Sequence, residues 1–286
     1  MPNDPCAPPG EAPPPLRIYF WPNLMTGGNL FCGFVALTKI VETDLTAPDF
    51  DVKIRYALFF ILLACIFDLL DGRIARWGGY ESPFGRQFDS LADLVSFGVA
   101  PAFLVHRIVL KDVFSQHPEF GWFIASIYLI CGALRLARFN CMAQMPGGGG
   151  SKEFLGFPIP AAAGLVASIT LFILWWEARE FPTGSWRYTL PGILLFLSFM
   201  MVSEVKYPSF KSLSLGVRRP FIKLVIAVLF VGVLLVAWEK VLPAVLPLIF
   251  GGYLVYGFVR PFISRQMRRE IEEEEEEDEA APSQKG

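Results

Sequence analysis

The stretch Ala57-Leu-Phe-Phe-Ile-Leu-Leu-Ala-Cys-Ile-Phe67 is unbroken by any charge and runs straight into Asp68-Leu-Leu-Asp71-Gly72-Arg-Ile-Ala75-Arg76. An apolar run of this kind belongs in lipid. Carboxylates at its end point to function, because ionisable groups at membrane depth are costly to keep. The apolar pattern recurs from Phe221 to Trp238 and from Val241 to Phe258, and about 20 such residues carry a helix across a bilayer. The 286 residues are 53% hydrophobic, above the roughly 45–50% of ordinary soluble domains. The expected fold class is therefore an all-α integral membrane protein.

Read as helices, the runs predict about eight transmembrane spans, at roughly 23–42, 54–74, 90–110, 120–139, 157–177, 188–204, 221–238 and 241–260. Trp175, Trp176 and Glu177 ahead of Pro182 and Gly184 leave a second reading for the fifth and sixth, one helix plus a re-entrant piece. Loops on alternate sides differ in charge. Arg73, Arg76 and Arg86, then Arg135, Arg138 and Lys152, then Lys206, Lys211, Arg218, Arg219 and Lys223, and finally Arg260, Arg265, Arg268 and Arg269 fall on one side. The positive-inside rule makes that side cytoplasmic and places both termini there.

Three segments follow: a Pro-rich arm over 1–20, a transmembrane catalytic domain over 21–262, and a basic-then-acidic tail over 263–286. The arm lacks the apolar core of a secretory leader. The tail, with Glu272 to Glu277 in one block, has too little apolar content to pack and reads as a solvated terminus. Cys6, Cys32, Cys65, Cys131 and Cys141 are odd in number and contain no CxxC pair, so neither a disulfide framework nor a zinc cage is expected. No nucleic-acid partner is expected either.

The chemistry concentrates in Asp68 to Arg76 and in Gly85-Arg-Gln-Phe-Asp89-Ser-Leu-Ala-Asp93. At about 100° per residue, Asp68, Asp71, Gly72 and Ala75 share one helix face, as do Gly85, Asp89 and Asp93. Two acidic stripes can then face each other, and their mutual repulsion calls for cations; hard divalent ions with oxygen ligands fit best. Gly72, Ala75 and Gly85 leave room for a large polar ligand, and Arg76 offers a fork for phosphate. The competing reading, ion pairs with Arg73, Arg76 and Arg86 and no ligand, does not explain the small residues.

The full pattern, DxxDGxxARx8Gx3Dx3D, resembles the signature of the CDP-alcohol phosphatidyltransferase family at every position. Pro22-Asn-Leu-Met-Thr26, Gly28-Asn-Leu-Phe-Cys-Gly33, Ser96-Phe-Gly-Val-Ala-Pro101, Leu134-Arg-Leu-Ala-Arg-Phe-Asn140, Phe157-Pro-Ile-Pro-Ala161 and Tyr207-Pro-Ser-Phe-Lys211 resemble the membrane-integral phosphatidylserine synthases within it. The likeness covers roughly residues 20–260. It implies a core of six helices, with two extra C-terminal spans here, often a homodimer, with a polar cavity open to the cytoplasmic leaflet of the inner membrane.

The resemblance also implies a reaction: a serine hydroxyl attacks the β-phosphorus of CDP-diacylglycerol and releases CMP, with Mg2+ or Mn2+ assisting, two ions per site. Asp68, Asp71 and Asp89 would be metal ligands, and Asp93 would complete the second ion site and take the hydroxyl proton. Gly72, Arg76, Ser82 and Asn23 match positions that contact the CDP-lipid, although Asn23 could instead cap its helix. Serine needs a fixed cation for its carboxylate. Arg135 and Arg138, with Asn140 as helper, are the candidates, and Lys206 and Lys211 rank below them; topology anchoring is the other reading of these bases. His106 and His117 form no HxK motif, which argues against a histidine-nucleophile synthase. Glycerol phosphate, inositol phosphate or choline as acceptor keeps the same chemistry, and an ion pathway is the rival from outside enzymology.

Overall fold

Among the described residues the first four helices reach past the predicted spans, whereas the last three lie within theirs. The computed structural model describes residues 19–44, 47, 49–78, 82–110, 113–144, 153–177, 179, 189–208, 242–257 and 259. Within them lie α1 (Phe20–Glu42), α2 (Phe50–Gly78), α3 (Pro83–Leu110), α4 (Pro118–Gln144), α5 (Ile159–Glu177), α6 (Thr189–Val202) and α7 (Leu242–Gly257). The predicted span at 221–238 lies outside the described residues, as do nearly all of the N-terminal arm and the whole tail. The fifth and sixth spans are separate helices, α5 and α6.

Among the described residues, α1, α3, α4 and α5 are long and apolar enough to cross a bilayer. Helix α2, at 29 residues, has the length as well, but Asp68, Asp71 and Arg73 interrupt its apolar stretch. Large apolar side chains such as Phe31, Phe34 and Phe199 project outward at 63%, 61% and 71% exposure, which suits a surface solvated by lipid. Inside, Ala36, Ile40, Leu58, Ile61, Phe97, Leu104, Tyr128, Val166 and Leu197 make one continuous core.

The start of α3 shows why the apolar reading placed its boundary late. Ser82 has extended backbone and its hydroxyl accepts the Gly85 N–H at 3.0 Å, while Pro83 occupies the first helical position. That is a strong local start signal. The first turns carry Gly85, Arg86 and Gln87, so they are helical without being apolar. Asp89 is consequently inside the helix and not at its mouth. Directly after Asp93 the winding widens to π over Leu94–Val99, with the Ala100 N–H reaching back to Val95 O. A second π stretch covers His106–Leu110.

One departure from an all-helical chain is a short antiparallel ribbon, β1 (Glu153–Leu155) with β2 (Lys206–Pro208), in which Phe154 pairs with Tyr207. Gly156 closes it at φ +77 and donates its N–H to Val205 O at 2.9 Å. A side chain there would be strained and would overlap Met201 O.

Helix α1 approaches the backbone of α3 closely at Gly33. A Cβ at Gly33 would collide with Ser96 Oγ and sit 2.7 Å from Ser96 Cα, so only glycine permits this approach. A Cβ at Gly27, on the same helix, would meet nothing within 4 Å. Gly33→Ala is therefore expected to destabilise the protein by about 1–3 kcal/mol through overpacking. Gly27→Ala should be neutral or slightly stabilising. Thermal unfolding of the two variants in detergent checks the contrast.

Candidate active site

Four helix ends meet at one end of the bundle: the starts of α1 and α3 and the ends of α2 and α4. Asp68 on α2 and Asp89 and Asp93 on α3 bring carboxylate oxygens within 4.8 Å of one another. Asp71, a turn along α2, lies within electrostatic reach of Asp89. Asp71 and Asp93 are buried, at 7% and 6% exposure. The two acidic stripes thus face each other across α2 and α3.

Helix α1 supplies polar partners to both stripes. The Thr26 hydroxyl donates to Asp71 Oδ2, and Asn29 Nδ2 donates to Asp93 Oδ1 at 3.0 Å. Ser96 returns a bond from α3 to Asn29 O at 3.0 Å, at the level where Gly33 lets the helices touch. Thr26 and Asn29, three apart, are the functional residues that sequence reasoning passed over. Both stood in quoted segments, but nothing in one sequence says which carboxylate a first-helix polar group will meet.

Like charges this close repel. At an effective dielectric of about 20, two unit charges near this spacing repel by about 3 kcal/mol. Two hydrogen bonds from α1 offset part of that. Asp89 Oδ1 is buried and has no hydrogen-bond partner. An unmet acceptor among clustered hard oxygen donors suits a hard divalent cation, so the residues present fit one held by Asp68, Asp89 and Asp93 with Asp71 beside them.

On the flank towards the α2–α3 connection, Asn23, Ser82 and Gly85 converge. A Cβ at Gly85 would lie 3.2 Å from Ser82 Oγ and 3.5 Å from Asn23 Oδ1. Asn23 does not cap α1, whose cap position is Tyr19, and its Nδ2 is buried without a partner. Ser82 caps α3 as an acceptor, which leaves its own proton for a ligand. Gly72 is half-buried next to Asp71. The side chains of Arg76 and Lys206, and Lys211 altogether, lie outside the described residues.

The two arginines on α4 have different surroundings. Arg138 spreads over backbone carbonyls: Nη1 donates to Val202 O at 2.9 Å, and Nη2 lies 3.1 Å from Ser203 O and 3.3 Å from Leu155 O. It ties the end of α6 to β1, a structural use that the spacing on α4 did not foretell. Arg135 is 7% exposed, has a buried Nε with no partner, and lies in the electrostatic reach of Asp93 and Asp68. Asn140 bridges to α3 through Ser90 Oγ at 2.9 Å and Gln87 Oε1 at 3.3 Å, while its own Oδ1 has no partner. Arg107, at the opposite end of the bundle, binds Thr43 O at 2.7 Å, so neighbouring His106 is remote from the aspartates.

The sequence profile of the CDP-alcohol phosphatidyltransferase family matches residues 19–202. A Helicobacter pylori (strain J99) protein named CDP-diacylglycerol–serine O-phosphatidyltransferase is 32% identical over 243 residues, 85% of this chain and 91% of its own. Proteins of the same name from Bacillus subtilis and Saccharomyces cerevisiae are 34% identical over 196 residues (66% of this chain, 90% of theirs) and 43% over 155 residues (53% of each).

Neutralising one member of the acidic cluster has a measurable consequence. In metal-free protein, Asp89→Asn should raise stability by about 1–3 kcal/mol, because it removes like-charge repulsion. It should also weaken the stabilisation that added Mn2+ gives the unsubstituted protein. Thermal unfolding with EDTA and then with Mn2+ measures both.

Proposed function

The chain belongs to the CDP-alcohol phosphatidyltransferase family, and from that premise we propose that it transfers the phosphatidyl group of CDP-diacylglycerol to L-serine, forming phosphatidylserine and CMP. The observation that carries the reading is the facing of Asp68, Asp89 and Asp93 within 4.8 Å, with a buried arginine in their electrostatic reach. A pyrophosphate-bearing donor and a zwitterionic acceptor need such a pair of neighbouring sites. The names of the relatives support serine as that acceptor.

When bound to the aspartates, divalent ions, two in this reading, polarise the pyrophosphate oxygens and disperse charge on the departing CMP. Asp68, Asp71 and Asp89 would hold them, and Asp93 would complete the second ion site. Asn23, Ser82, Gly72 and Arg76 are assigned to the cytidine diphosphate. The serine oxygen forms its bond to the β-phosphorus, the bond from that phosphorus to CMP breaks, and Asp93 takes the hydroxyl proton. Asn29 donates to one Asp93 oxygen at 3.0 Å, which supports the other oxygen as the acceptor of that proton. Arg135 pairs with the serine carboxylate, assisted by Asn140. Arg138 contributes by holding α6 and the ribbon in place.

The basic loops orient this end of the bundle towards the cytoplasm of the inner membrane. Donor lipid then enters from the inner leaflet while serine and CMP exchange with the cytosol.

Purified protein given CDP-diacylglycerol, Mn2+ or Mg2+ and labelled serine is expected to release CMP and form a serine lipid. Glycerol phosphate, inositol phosphate and choline should compete poorly. Neither CMP nor serine lipid would overturn the proposal. Within it, Asp93→Asn should lower kcat by about a hundred-fold or more yet retain CDP-lipid binding better than Asp68→Asn. Equal loss of binding in the two variants contradicts the division of roles.

A further inference from the structure

Directly after Asp93, α3 widens over Leu94–Val99, where the Ala100 N–H reaches back five residues to Val95 O. The next N–H along the helix would belong to Pro101, which has none. Phe97 O, four residues before that proline, therefore lacks the donor that α winding would give it, and Phe97 is fully buried. A buried carbonyl needs a partner. Tyr128 of α4 supplies one: its hydroxyl donates to Phe97 O at 3.1 Å, and its side chain is fully buried as well.

The preceding residue of the wide turn is held by a different helix. Ser96 donates its hydroxyl to Asn29 O of α1 at 3.0 Å, and the side-chain amide of the same Asn29 donates to Asp93 Oδ1 at 3.0 Å. Asp93 and Ser96, three apart on α3, are thus fastened to one residue of α1. Little slack is left there, since a Cβ on Gly33 would collide with Ser96. The turn that follows Asp93 is therefore clamped twice, to α1 through Ser96 and to α4 through Phe97. On α4, Arg135 follows Tyr128 by seven residues and shares its face. The Tyr128 bond thus fixes where that face sits along α3.

Resting on the serine reading above, we infer that Tyr128 is a positioning residue for the transfer: by holding the wide turn, it sets where Asp93 presents its carboxylate relative to Arg135. Tyr128 touches neither substrate nor metal in this reading. Its effect comes through alignment, and a misplacement of about 1 Å can cost about a hundred-fold in rate. A bond that only satisfied the carbonyl would change the fraction of protein folded. One that aligns the base changes the kcat of folded protein.

Steady-state kinetics of the full chain in mixed micelles, with L-serine and CDP-diacylglycerol as variable substrates and thermal unfolding alongside, separate the two. Tyr128→Phe removes one oxygen and keeps the ring; it should lower kcat about ten-fold while the KM for CDP-diacylglycerol stays within about two-fold. Ser96→Ala, which releases the same turn from α1, should lower kcat in the same direction. In the double variant the loss should be smaller than the product of the two single losses, because both bonds hold one turn. Arg107→Gln removes a comparable bond to a carbonyl, Thr43 O, at the opposite end of the bundle; it should lower the unfolding temperature and leave kcat within about two-fold. A kcat unchanged in folded Tyr128→Phe overturns the inference, and so does an equal fall in Arg107→Gln, which marks a general loss of stability. If Tyr128→Phe does not fold, an unchanged kcat in Ser96→Ala overturns it instead. If the unsubstituted protein makes serine lipid while these variants match it, this inference alone falls. If the unsubstituted protein makes none, the serine reading falls and takes this one with it.

Discussion

Carboxylates of one sign, held within 4.8 Å inside a helical bundle, set the terms on which the rest of this structure is organised. Left alone, they would drive α2 and α3 apart at the end where they meet. Several features oppose that. Thr26 and Asn29 place hydrogen-bond donors on Asp71 and Asp93, and the glycine contact at Gly33 brings α1 close enough to do so. The Ser82 cap anchors the first turn of α3. What these features leave unmet, above all the buried Asp89 Oδ1, is the demand for a cation. In this account the repulsion serves function, since the charge that destabilises the empty cluster is the charge that holds a divalent ion.

Around that centre the polar groups divide by helix. The α2–α3 junction and the start of α1 bring Asn23, Ser82 and Gly85 together on one flank, where a nucleotide diphosphate would lie. Helix α4 carries Arg135 and Asn140, and its other arginine braces the ribbon and α6. In the proposed reading, donor and acceptor sides are built from different elements that share the aspartates. The outward faces of the described helices, rich in exposed phenylalanine, present apolar surface to lipid.

Much of this was legible in the sequence where a local rule applied. The i, i+3, i+4 spacing put the aspartates on two facing stripes because side-chain direction in a helix depends only on winding. The helix boundaries were less legible: the polar opening of α3 hides from any count of apolar residues, and its start depends on a serine cap and a proline. Thr26 and Asn29 were out of reach for a different reason. Their meaning arises only when α1 lies across α2 and α3, a tertiary fact. The same holds for Arg138, whose carbonyl partners are 17 to 65 residues away, and for the two three-residue strands, too short to leave a pattern of their own.

If the facing carboxylates of α2 and α3 form a divalent-cation centre, they hold the ion in crystals. Anomalous scattering from crystals of the protein grown with Mn2+ measures this. A manganese peak coordinated by Asp68, Asp89 and Asp93, and lost in Asp89→Asn, is expected. A protein that binds no Mn2+ there, or one whose only peaks lie away from these side chains, would contradict it.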